Sequence, residues 1–300
     1  MKKILSAIVV VVGAASFWAF GGSPKYYQNE IRNPMTVYIE KNATKVFIGD
    51  TGKDSPQRDA ILDSLKKDCE ESPNGFYLFI LGDYGYPKGI NNDKEFSEHV
   101  EPFLSLCENH ISTLGIPGNH EKYKIFPNGY MAKRFHGKVP PVEVWGGFIQ
   151  ENYYYKVQEI SLDDKEIGDC FFLVDSSPWD SPFSSGIKDR ITAWIKEESK
   201  TCEVKNFLSH HYFFSSSDRK PSKTWFRFYE RVVRALGFKR VISGHDHLIH
   251  YTVKDEIEHY ISGMGSKTTK NPVGYLKAMG NKYDFKILGN NYDIEEEDDD

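Results

Sequence analysis

The chain has 300 residues, 39% of them hydrophobic and 14% aromatic, enough to bury a large core in one large domain or two small ones. A net charge of −5 excludes a general attraction to nucleic acid. Much of that acidity lies in the terminal run IEEEDDD, so residues 291–300 read as a solvated tail without a function of its own.

The first predicted element is an export segment over residues 1–22. Lys2 and Lys3 precede an uncharged apolar run from Ile4 to about Phe20, with small residues at Ala14–Ser16 and Ala19–Gly21 where cleavage could occur. The run is slightly long for a signal and just long enough to span a bilayer, so a cleaved signal and an uncleaved anchor both fit it. Either way the two lysines keep the start cytoplasmic and the body is expected to be secreted or exported. In an oxidising compartment Cys69, Cys107, Cys170 and Cys202 permit two disulfides in any of three pairings, or stay as small buried thiols. Their irregular spacing excludes a compact CxxC zinc site. Asn42-Ala43-Thr44 is a possible glycosylation acceptor.

From residue 36 to 290 strands and helices alternate. KVFIGD (45–50) reads as a strand, QRDAILDSLKKDC (57–69) as an amphipathic helix and FYLFILGD (76–83) as a second strand. KEFSEHVEPFLSL (94–106) is helical, with Pro102 forcing a late start or a break. ISTLGIPGNH (111–120) is a third strand ending in a Pro-Gly turn, and 121–150 reads as a long surface loop. Apolar runs at 169–177, 204–211 and 239–247 come next, separated by predicted helices at 188–199 and 223–236. Such alternation predicts a single α/β layered domain, and the runs at 259–265 and 282–289 could add a second, more antiparallel sheet.

The chemistry lies in the residues just past each apolar run. The strand ends bear GDTG with Asp50, GDYGY with Asp83 and Tyr86, GNHE with Asn119 and His120, LSHH with His210 and His211, and SGHDH with His245 and His247. Functional groups of open α/β sheets gather at the carboxyl ends of strands. The glycines beside them let the backbone approach a shared centre. Asp, Tyr and Asn offer oxygen donors and neutral imidazoles offer nitrogen. Asp50, Asp83, Tyr86, Asn119, His210, His245 and His247 are too many ligands for one first-row ion and suit two ions sharing a bridging carboxylate. His99, His110, His136, His250 and His259 read as ordinary surface or core histidines, and Asp246 is expected to point away. His211 is ambiguous, because of two adjacent residues only one is expected to face the site.

Together GDTG, GDYGY, GNHE, FLSH and GHDH, in this order over about residues 45–265, resemble the five blocks of the purple acid phosphatases, within the calcineurin-like metallophosphoesterases. The small, single-domain tartrate-resistant type is the most similar, since no sandwich domain precedes the first block. The resemblance implies an α/β fold of two mixed β-sheets packed face to face and flanked by helices. It also implies that Asp50, Tyr86 and His247 hold Fe(III), that Asn119, His210 and His245 hold Fe(II), Zn(II) or Mn(II), and that Asp83 bridges. Where many relatives have Asp-x-His, this chain has Asp50-Thr51-Gly52, and the resemblance implies that Tyr86 replaces the missing imidazole with a harder phenolate that would favour ferric iron and colour the protein purple. Phe207 stands where the fourth block usually has Val, a packing change expected to leave His210 unaffected.

The three anionic ligands would leave the metal pair a charge of about +2, a field suited to a phosphate dianion and a metal-bound hydroxide nucleophile. The expected reaction is acid hydrolysis of phosphomonoesters, with His120 beside the metals contacting phosphate or protonating the leaving group, and Glu121 orienting a ligand. A phosphodiesterase of the same superfamily, redox chemistry at the iron, and an exported metal-binding protein with a degenerate site are the alternatives. No nucleic acid or specific protein partner is expected, and a membrane only if residues 1–22 are retained as an anchor.

Overall fold

A computed structural model describes residues 34, 36–87, 89, 90, 92–122, 148, 149, 154–161, 166–180, 185–217, 219–265 and 272–289. The export segment, most of the predicted 121–150 loop, His136 and the acidic tail lie outside the described residues. No helix among the described residues is long and apolar enough to cross a membrane.

Among the described residues, thirteen strands form two mixed sheets. The first contains β1 (Thr36–Glu40), β6 (Tyr154–Ile160), β7 (Ile167–Val174), β8 (Lys205–Ser209), β9 (Arg240–Ser243), β11 (Ile257–Ser262) and β10 (Ile249–Lys254), in that spatial order. The second runs β13 (Lys282–Gly289), β12 (Val273–Met279), β2 (Thr44–Ile48), β3 (Phe76–Ile80), β4 (His110–Gly115) and β5 (Phe148–Ile149). At its centre β2, β3 and β4 are parallel, as are β7, β8 and β9 in the first sheet.

Parallel central strands are covered on both faces, which is why their sequences read as unbroken apolar runs. Phe47, Phe79 and Leu114 of one sheet meet Tyr155, Phe171, Leu208 and Ile242 of the other in the middle layer. Val46, Leu78 and Ile80 turn outward onto Ile61 and Leu65 of α1 (Pro56–Glu70). On the far side Phe172, Phe207 and Val241 pack with Ile191 and Ile195 of α3 (Ser185–Glu198) and Trp225 of α4 (Lys223–Phe228). Phe207 lies among Phe213, Trp225, Phe228 and Phe238, with ring centroids 5.7–6.0 Å away, so its bulk is absorbed by the outer core.

The chain departs from the periodicity in particular places. α2 (Asp93–His99) ends before Val100, and Glu101–Phe103 forms a single tight turn around Pro102, the break expected there. The runs at 259–265 and 282–289 build no sheet of their own. β11 joins the first sheet beside β9, and β13 closes the edge of the second beside β12. β6 has no simple apolar pattern because Lys156, Gln158 and Glu159 are all buried in it. Each has a partner: Lys156 pairs with Glu198 at 2.5 Å, Gln158 donates to the Gly168 carbonyl at 3.0 Å, and Glu159 meets the wholly buried Lys45 of the opposite sheet at 2.6 Å.

Two disulfides cross-link these elements, Cys69 of α1 to Cys107 in the turn before β4, and Cys170 of β7 to Cys202 just beyond the turn that follows α3. They close loops with sequence separations of 38 and 32 residues. Loops of this size are worth about 3–4 kcal/mol each through the entropy of the unfolded chain. Replacing either pair by alanine is expected to lower the thermal midpoint clearly, and a melt unchanged by reductant would show that the bridges contribute nothing.

His99 lies 3.7 Å from Asp54, and His110 is held between the Leu106 N–H and Thr113 Oγ1, so both are structural as expected. His259 is 2% exposed between the rings of Phe214 and Tyr229, and among the described residues neither of its ring nitrogens has a hydrogen-bond partner. Burial lowers its pKa to about 4, with Asp255 pulling weakly the other way. An unfolded histidine takes up its proton near pH 6.5, so the folded state loses stability as the pH falls from there towards 4. At pH 5 that loss is about 2 kcal/mol. His259→Phe should therefore flatten the urea stability between pH 7 and 5, and an unchanged pH slope would contradict the assignment.

Candidate metal centre

All the predicted ligands lie past the ends of strands at one end of the sandwich. Asp50 lies just past β2, Asp83 and Tyr86 past β3, Asn119 past β4, His210 past β8, and His245 and His247 past β9. Both sheets therefore contribute, and their parallel central strands deliver these residues to the same edge. Asp50, Asp83 and His210 are almost wholly buried.

The seven side chains divide into two groups around one carboxylate. In the first, the Tyr86 hydroxyl donates to Asp50 Oδ1 at 2.8 Å and lies 3.1 Å from His247 Nε2, which is itself 3.2 Å from Asp50 Oδ1. In the second, His210 Nε2 lies 2.9 Å from Asn119 Oδ1 and 3.1 Å from His245 Nδ1. Asp83 Oδ2 reaches both, at 3.1 Å from Tyr86 Oη and 3.4 Å from His210 Nε2. Asp50, Asp83 and His210 present ligand atoms within 4.8 Å of one another.

Backbone conformation is bent to this arrangement. Asp50, Asp83 and His245 have φ of 62°, 57° and 69°. A left-handed non-glycine residue costs about 1 kcal/mol, and such strain collects at functional sites. Asp255 and Glu256 share it only because they form the two-residue turn between β10 and β11. The glycines supply close approach: a Cβ on Gly82 would fall 2.6 Å from Gly118 Cα, and one on Gly118 would fall 2.1 Å from Asp83 Oδ1.

Glu121 has a larger part than its place after the GNH triplet suggested. Its carboxylate accepts the N–H groups of Asp83 at 2.9 Å, Gly118 at 2.7 Å and Tyr84 at 2.8 Å, clamping the second block to the third. The His120 backbone N–H donates to Asp83 Oδ1 at 3.1 Å, its Nδ1 donates to the Pro87 carbonyl at 2.7 Å, and its ring meets Tyr86 edge-on. Asp246 turns to Ser215, away from the two groups, as expected. His211, ambiguous in the sequence, departs from the premise that only one of two adjacent residues can face the site. It does not face away from His210: its ring lies 5.1 Å from that of His210 and 4.5 Å from that of His245. Ser176, its partner at 2.7 Å, was not singled out by sequence because serine is not a typical ligand of such ions.

The electrostatics are those of a cation site. Burial disfavours the Asp83 charge, yet His210 and His120 outweigh it and hold the carboxyl well below its usual range. His210 is lowered by burial but raised more by Asp83, to about 9. Burial and then the charges of His210 and His211 push His245 down to about 2. The Tyr86 phenol is pushed far up by burial and by Asp50 and Asp83. His210 donates Nδ1–H to the Leu81 carbonyl at 2.7 Å, the anchoring by which a ligating imidazole presents its other nitrogen. Two carboxylates, a phenol, an amide oxygen and three imidazoles at these distances fit a pair of metal ions, and metallophosphoesterases use such dinuclear centres.

Comparison with solved structures shows the fold. GAP50, the anchor in the inner membrane complex of Plasmodium, superposes with a TM-score of 0.67 at 14% identity, over 83% of this chain and 84% of that one. Purple acid phosphatase PPD1 from yellow lupin gives a TM-score of 0.49 at 14% identity, over 78% of this chain and 48% of the plant protein. A 5′-nucleotidase from Candida albicans gives 0.45 at 14% identity, over 79% and 48%. No curated protein matches the sequence. Residues 44–248 match the calcineurin-like phosphoesterase family, a span that takes in every strand end carrying Asp50, Asp83, Tyr86, Asn119, His210, His245 and His247. By that match the chain belongs to the calcineurin-like phosphoesterases.

Proposed function

We propose that the protein is a purple-type acid phosphatase of the small tartrate-resistant kind, hydrolysing phosphomonoesters. The observation that carries the reading is the Tyr86 hydroxyl, 2.8 Å from Asp50, 3.1 Å from Asp83 and 3.1 Å from His247, where a phenolate would complete a hard oxygen-rich site. Asp50, Tyr86 and His247 would hold Fe(III), Asn119, His210 and His245 would hold Fe(II), Zn(II) or Mn(II), and Asp83 would be shared. Bound there, the pair would supply Lewis-acid polarisation of the phosphoryl group and activation of water.

The chain's own residues do the rest. The Asp83 and Asn119 blocks are locked together by Glu121, so the shared carboxylate does not have to reorganise when substrate arrives. His120, its Nδ1–H spent on Pro87, presents Nε2 3.8 Å from Asp83 Oδ2 at the rim of the centre. From there it can hold a phosphate oxygen or pass a proton to the leaving oxygen. The two disulfides support an oxidising compartment, hence an exported body, with residues 1–22 as signal or anchor.

The test combines colour and rate. The metal-replete protein should show a purple charge-transfer band that Tyr86→Phe loses, and should hydrolyse a chromogenic phosphomonoester in acid faster than the matching diester. A colourless, iron-poor protein would replace this reading with that of a divalent-metal phosphoesterase or a site that no longer works, and a preference for the diester with that of a phosphodiesterase.

A further inference from the structure

β8 ends at Ser209, so His210 and His211 lie beyond the strand and the alternation of side chains no longer separates them. Both rings turn to His245, and a ring nitrogen of each of the three histidines lies within 4.8 Å of the others. The two neighbours are also anchored alike. His210 Nδ1 is tied to the Leu81 carbonyl at 2.7 Å, and His211 Nδ1 is tied to Ser176 Oγ at 2.7 Å. Ser176 is 1% exposed just past β7, and its oxygen also accepts the His211 backbone N–H at 3.1 Å. Ser209 Oγ donates to the His211 carbonyl at 2.8 Å, so buried hydroxyls hold both the backbone and the ring of His211. An imidazole fixed through Nδ1 has Nε2 on the opposite side of the ring, the disposition found when a second partner orients a metal-binding histidine.

We propose that His211 is a third imidazole ligand, with His210 and His245, of the divalent ion placed beside Asn119, and that Ser176 is its positioning residue. This rests on the dinuclear reading above and adds to it the identity of the second ion. Three imidazoles favour Zn(II) or Fe(II), whereas Mn(II) is better served by carboxylate, carbonyl and water. The second group would thus discriminate against manganese through a residue outside the five sequence blocks' ligand pattern.

The experiment is calorimetric titration of the full chain, loaded with ferric iron, with Zn(II) and separately with Mn(II), backed by metal stoichiometry. The unmodified protein should take one Zn(II) more tightly than Mn(II). His211→Ala should weaken Zn(II) on the order of 100-fold and narrow the gap to Mn(II), while Ser176→Ala weakens it about tenfold. His211→Gln, which keeps a side chain able to bond Ser176, serves if the alanine variant fails to melt cooperatively, and should show the same loss. Unaltered Zn(II) binding in the His211 variants, with His210→Ala losing it, would overturn the role of His211 and leave the dinuclear reading intact. Failure of the unmodified protein to bind any second ion would overturn both.

Discussion

Asp83→Asn is expected to lose at least one of the two metal ions and to lower phosphomonoester hydrolysis by ~10³-fold or more, the equivalent of several kcal/mol of transition-state stabilisation. The substitution is nearly isosteric, and asparagine tolerates the left-handed backbone found at this position, φ 57°. It can still accept the His120 N–H that Asp83 Oδ1 accepts at 3.1 Å. What it removes is the charge on a carboxylate whose Oδ2 lies 3.1 Å from Tyr86 Oη in one group and 3.4 Å from His210 Nε2 in the other. Without that charge the buried pair of groups loses the anion that both ions would share. Metal stoichiometry and turnover measured together check this: full occupancy by two ions with near-normal turnover would show that Asp83 is not shared.

His120→Ala separates chemistry from metal holding. The side chain stands beside Tyr86 at a ring-centroid distance of 4.5 Å, and its Nδ1 is committed to Pro87. Truncation should leave both ions in place and lower kcat by ~10²–10⁴-fold, the usual contribution of a positioned general acid. The loss should be greater for alkyl phosphates, whose leaving oxygen needs a proton, than for nitrophenyl phosphate, whose leaving group departs unaided. Equal losses on the two substrates would make His120 a phosphate ligand, and unchanged kinetics would remove it from the mechanism.

The central strands were legible because their physics is local. Residues 45–50, 76–83 and 204–211 are apolar runs ending in glycine or polar turns, and each overlaps a strand of the parallel cores. β6 and β10 were not legible, for opposite reasons. β6 buries Lys156, Gln158 and Glu159 against partners distant in sequence, so its burial depends on Glu198, Gly168 and Lys45 rather than on its own polarity. β10 alternates Ile249, Tyr251 and Val253 with polar residues, but as an edge strand it leaves Tyr251 and Val253 exposed, so its apolar positions mark no core.

The candidate site shows the same division. Residue type and position after each strand singled out the candidate donors, and parallel strands bring their carboxyl ends to one edge. That much the order of residues determined alone: an α/β chain with seven oxygen and nitrogen donors at its strand ends, and cysteines able to pair. The pairing itself, Cys69 with Cys107 and Cys170 with Cys202, was decided by which helix packs on which sheet. So were the clamp of Glu121 on three backbone N–H groups and the turn of His211 towards His245. The reason is that side-chain direction beyond a strand's last residue depends on hydrogen bonds to distant segments, here Ser176 and Asp83, and only the assembled sandwich brings those segments within reach.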